Sequence, residues 1–156
     1  MTLSQERNAV GRRQVMAGLG VGVLVAALGP HLAVAKPQDV ETAMQKLIGE
    51  KKPKQGRVTL ELPQIAENGN TVPIKVSVSG PMTEADYVKV VHVFADGNPR
   101  PDVASFHFTP RSGKAFVSTR MRMAKTQNII AVAETSKGEV FIGKQGVKVT
   151  IGGCGG

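Results

Sequence analysis

Val72-Pro73-Ile74-Lys75-Val76-Ser77-Val78 places a branched apolar residue at every second position, with Lys75 and Ser77 between them. An extended chain puts successive side chains on opposite faces, so Val72, Ile74, Val76 and Val78 share one face and the polar residues share the other. The stretch therefore predicts a strand buried on one side. Upstream, Val58, Leu60 and Leu62 alternate in the same way with Thr59 and Glu61, and Glu67-Asn68-Gly69-Asn70 between the two runs carries the Asn-Gly signature of a turn. Downstream, further runs occupy 87–95, 104–109, 115–123, 129–134, 140–144 and 147–151, with Gly, Pro, Asn or Asp at most of the breaks.

Eight short strands at this spacing predict an all-β domain over 57–151, an immunoglobulin- or fibronectin-like antiparallel β-sandwich. One helix precedes it: Asp39 is placed to cap a segment in which Val40, Met44, Leu47 and Ile48 fall at helical spacing, and Gly49 closes it. Helix and basic linker together make up 36–56. With one Tyr, five Phe and no Trp, the core must be built from Val, Ile, Leu, Ala and Met.

The 156 residues suit a single domain, and 20 Lys+Arg against 12 Asp+Glu give a net charge of +8. Part of that charge lies in a leader. Arg7, Arg12 and Arg13 are followed by an uncharged run over 15–28 made only of Val, Met, Ala, Gly and Leu. That run is shorter than the roughly 20 residues of a membrane-spanning helix. Ala33-Val34-Ala35 offers the small-x-small pattern of a signal peptidase site, which puts cleavage between Ala35 and Lys36. Adjacent Arg12 and Arg13 before a weakly hydrophobic run resemble a twin-arginine export signal, with a general secretory leader as the alternative. Residues 1–35 thus predict export, to a bacterial periplasm, with no membrane anchor. Removing them leaves 17 basic and 11 acidic residues, a net +6. Those charges are scattered and almost no aromatic surface accompanies them, so nucleic acid is not an expected partner.

The other end of the chain reads Thr150-Ile151-Gly152-Gly153-Cys154-Gly155-Gly156. Cys154 is the only thiol, which excludes an internal disulfide and any zinc site needing two or more cysteines. No metal or cofactor is expected. Gly152, Gly153, Gly155 and Gly156 predict a flexible arm with a hook, reaching about 17 Å beyond the last strand when fully extended. A thiol without bulky neighbours can enter a narrow active site on another protein. Nothing nearby in sequence lowers its pKa from the usual value of about 8.5, so activation must come from whichever protein receives the arm. The chain then reads as a carrier rather than an enzyme. The alternative is a binding or structural subunit whose Cys154 only forms an intermolecular disulfide.

A nucleophilic enzyme would need a histidine beside the cysteine. His31 leaves with the leader, His92 shares its parity with Val88, Val90 and Phe94 and reads as a hydrogen-bonded core residue, and His107 reads as solvent-facing or at an interface. Met121 and Met123 alternate with Arg120 and Arg122, giving a core face and a solvent face, with an anion site on the two arginines as the sharper possibility.

The terminal Gly-Gly-Cys-Gly-Gly, residues 152–156, resembles that of the SoxY family, the carrier subunits of bacterial thiosulfate oxidation. The resemblance runs through Ile65-Ala66-Glu67-Asn68-Gly69, Val72-Pro73, Pro81-Met82-Thr83, Asn98-Pro99-Arg100-Pro101, Phe106-His107-Phe108-Thr109-Pro110, Ser118-Thr119-Arg120 and Ala131-Val132-Ala133. It implies pairing with a SoxZ-like subunit and covalent attachment of sulfur intermediates to Cys154. It further implies a haem-containing enzyme that couples thiosulfate to the thiol, a hydrolase that releases sulfate, and a sulfane dehydrogenase that oxidises the remaining sulfur.

Overall fold

The computed structural model describes residues 37–153. Among the described residues nine strands form two sheets: β1 (Lys54–Gln55), β2 (Val58–Glu61), β3 (Ile65–Asn68), β4 (Val72–Val78), β5 (Val88–Ala95), β6 (Asp102–His107), β7 (Ala115–Met121), β8 (Gln127–Thr135) and β9 (Val140–Ile151). The smaller sheet has the order β2-β4-β7 and the larger the order β1-β9-β8-β5-β6, with β3 also paired to β9. This is the expected immunoglobulin- or fibronectin-like sandwich, preceded by helix α1 (Pro37–Ile48).

Several details differ from the sequence reading. The runs at 140–144 and 147–151 are one strand, because Gly146 stays in register opposite Asn128 instead of breaking the ladder. The linker contains β1, and Asn68 belongs to β3 rather than to a turn, so the turn begins at Gly69. Both additions pair parallel to β9, β1 at Phe141 and Ile142 and β3 from Lys148 to Ile151, in a domain otherwise antiparallel. The chain leaves the larger sheet after β1, contributes β2 to the smaller one, and returns as β3 to the same edge of β9. Strands of two and four residues carry too few alternations to be seen as a period.

The opening stretch does what its pattern requires. Val72, Ile74, Val76 and Val78 of β4 are buried against Val91, Val93 and Ala95 of β5 and Ile129, Ala131 and Ala133 of β8. Each buried Val or Ile among them stabilises the fold by about 1.5–3 kcal/mol. Strand β5 is buried on both faces, because Phe94 on its other side packs with Ile130, Val132 and Val140 under α1. The helix contacts this second layer through Val40, Met44 and Ile48, spaced by four, with Ala43 beside them. Leu47, expected in that stripe, is 45% exposed instead. The helix also starts earlier than the expected cap, leaving Asp39 in its first turn. Gly49, at φ 66°, ends it by donating its N–H to the Gln45 carbonyl at 2.8 Å.

Candidate functional site

Cys154, Gly155 and Gly156 lie outside the described residues, as do Arg12, Arg13, Ala35 and Lys36. Gly152 and Gly153 are described, and they revise the picture of an arm swinging from Ile151. Beyond the β3–β9 ladder, which closes at Asn68 opposite Ile151, the Gly69 N–H donates to the Ile151 carbonyl at 2.7 Å. Gly69 in turn accepts from the Met123 N–H at 2.8 Å, and the Met123 carbonyl accepts from the Gly153 N–H at 2.9 Å. Three chain segments are thereby tied at one point, one residue before the thiol.

The glycines at this point are there for proximity. A Cβ on Gly152 would run into the Ala124 carbonyl, one on Gly153 into the Gly69 carbonyl, and one on Gly69 into the Met123 carbonyl and to 2.8 Å from the Gly153 nitrogen. None of the three needs a positive φ. Gly152 and Gly153 are therefore packed into the domain, and only the three residues from Cys154 onward remain for the expected arm. Three residues span at most about 10 Å, against the roughly 17 Å of a five-residue arm. The exposed Ile151 side chain, at 66%, stands beside this root of the expected arm.

The histidines are engaged elsewhere. His92 is 7% exposed and its Nδ1 lies 2.7 Å from the Ser105 Oγ, with the Phe94 ring tilted against it at 6.4 Å. Burial holds its pKa below the usual 6.5, the charge of His107 lowers it further, and Glu134 opposes both. His107 is exposed on β6 opposite Val90, on the same sheet face as His92. Met121 and Met123 are buried and Arg120 and Arg122 exposed, as the alternation predicts. The two arginines border a groove of about 280 Å³ lined mainly by apolar side chains, among them Val103 and Phe106. Among the described residues no three His, Cys, Asp or Glu side chains converge as a metal centre would need.

The family model of the sulfur oxidation protein SoxY matches residues 44–154, ending on the cysteine itself. The chain belongs to the SoxY family. The structure of the sulfur carrier protein SoxY from Chlorobium limicola f thiosulfatophilum is 35% identical, with a TM-score of 0.63 over 73% of this chain and 98% of that one. A superoxide reductase (neelaredoxin) from Ignicoccus hospitalis superposes with a TM-score of 0.54 at 17% identity, covering 75% of this chain and 95% of that one, a likeness of fold alone. No curated protein sequence matches the chain. For a SoxY-family chain, the residues that sequence reasoning missed are Gly69 and Met123. The first looked like an ordinary turn glycine and the second like a core side chain, and their backbone contacts with Gly153 have no sequence signal.

Proposed function

We propose that the chain is a sulfur carrier subunit of a thiosulfate-oxidising system, holding its cargo covalently on Cys154. The observation that carries this is a lone thiol one residue beyond a backbone root in a member of the SoxY family. The support is chemical: nothing near Cys154 in the sequence would activate the thiol, so activation falls to the enzymes it is delivered to. A haem-containing partner joins thiosulfate to the thiol. Cysteine and thiosulfate give a Cys–S–S–SO₃⁻ group and a proton, and two electrons pass to the partner. A hydrolase then adds water across the terminal S–S bond, releasing sulfate and leaving a persulfide on Cys154 for a sulfane dehydrogenase. Arg12 and Arg13 before an uncharged run support export to the periplasm as the setting for this chemistry, and a SoxZ-like subunit is the partner the reading calls for.

Reconstitution with those partner enzymes tests the reading. Thiosulfate-dependent electron transfer should need this chain and vanish with Cys154→Ser. If Cys154 instead only ties subunits together by a disulfide, Cys154→Ser with a substitute crosslink should restore full turnover.

A further inference from the structure

The root of the arm has a second edge. At residues 122–124 the Met123 N–H and C=O are taken up by Gly69 and Gly153, which leaves the Arg122 carbonyl and the Ala124 N–H to find other partners. Both meet one side chain. Asn98 donates from Nδ2 to the Arg122 carbonyl at 2.9 Å and accepts at Oδ1 from the Ala124 N–H at 2.9 Å. A single amide thus fills the place of a neighbouring strand.

Asn98 is itself fixed. Its Oδ1 also accepts from Nε2 of the buried Gln127 at 2.8 Å, and Gln127 Oε1 accepts from the Gly97 N–H at 2.8 Å. Asp96, two residues earlier, accepts from the backbone N–H and the Nδ2 of Asn128 at 2.8 and 2.7 Å. The loop after β5 is therefore bolted to the start of β8 on both sides of Gly97, where a Cβ would come within 2.8 Å of the Gln127 Cβ.

We propose that Asn98 is a positioning residue for the carrier arm, acting through residues 122–124 to hold Gly153, and so to fix the point from which Cys154 is presented. The inference rests on the carrier reading of Cys154. Its logic is that a short arm with a fixed origin presents one thiol in a narrow range of places, whereas a loosened root spreads the thiol over many. Only the fraction of molecules with a formed root then meets the partner productively, and the apparent affinity falls by that fraction. The side chain touches no substrate.

Amide hydrogen exchange on the full chain, read by NMR, tests the clamp, with the coupling reaction of the haem-containing partner on thiosulfate as the functional arm. In Asn98→Ala the Gly153 amide should exchange on the order of tenfold faster, while Val132 in the middle of β8 keeps its rate within about twofold. Asn98→Asp keeps the oxygen that receives Ala124 but sets a second carboxylate oxygen, an acceptor only, against the Arg122 carbonyl, so Gly153 should accelerate here too while Val132 keeps its rate. The KM for the carrier should rise about twofold or more with kcat little changed. Should Asn98→Ala fail to fold, Asn98→Asp alone carries the comparison between Gly153 and Val132. The proposal is overturned if Gly153 keeps its rate, if Val132 accelerates by the same factor, or if KM does not move. A wild-type chain that takes up no thiosulfate-derived sulfur with active partner sinks the carrier reading instead, and the exchange comparison still decides whether Asn98 clamps the root.

Discussion

At the scale of single residues, the glycines before Cys154 do different work from what their composition suggests. Gly153→Ala removes no flexibility worth keeping. It pushes a methyl group against the Gly69 carbonyl, so the root must come apart and the Gly153–Met123 bond is lost. Unfolding stability should fall by about 1 kcal/mol, the worth of one such bond, while coupling to thiosulfate drops markedly. A variant with unchanged denaturant midpoint and unchanged coupling contradicts the root. His92 offers a second test at this scale. Its lowered pKa means that the unfolded chain binds more protons below about pH 6.5, so its contribution to stability is present above that value and is lost as the pH falls. An imidazole titration followed by NMR should give His92 a midpoint below 6.5, and a midpoint at or above 6.5 contradicts its burial against Ser105.

At the scale of elements, what was legible followed pattern length. Strand β4 and the buried halves of β5 and β8 carry three or four alternations each, and hydrophobic burial leaves little choice about their faces. Strands β1 and β3 exist because β9 offers an edge, not because Lys54-Gln55 or Ile65-Ala66-Glu67-Asn68 prefer extension, and that cause lies in the tertiary fold. Gly146 looked like a break for the opposite reason: a local signal was overruled by ladder pairing on β8. In α1 the helical period identified the helix but not which of the adjacent Leu47 and Ile48 faces in, since each continues a stripe from Val40 and Met44. The structure buries Ile48 at 5% exposure and leaves Leu47 outside. Ile48→Ala should therefore cost about 2–5 kcal/mol by urea denaturation and Leu47→Ala less than about 0.5. Equal losses would mean that the helix lies rolled about its axis relative to the large sheet.

At the scale of the whole molecule, the proposed carrier role makes the sandwich a mount for one thiol. The candidate thiol was legible at once, since the chain has no other cysteine and brackets it with glycine. The mount was not, because it is made from backbone atoms of Gly69, Met123 and Gly153 and from an asparagine separated from Met123 in sequence by β6 and β7, strands of different sheets. Part of the net positive charge of the full chain lies in residues 1–35, and the remainder includes exposed Arg120 and Arg122 on the solvent side of the buried methionines. The family places the chain in sulfur oxidation; the arrangement of its terminus argues for carriage.

The most direct measurement is the mass of the C-terminal peptide after the chain has been mixed with thiosulfate and its haem-containing coupling enzyme. A carrier should gain one thiosulfonate group on the peptide containing Cys154, removable by thiol reductant and absent from Cys154→Ser. An unmodified peptide after demonstrated turnover of the coupling enzyme would contradict covalent carriage on Cys154.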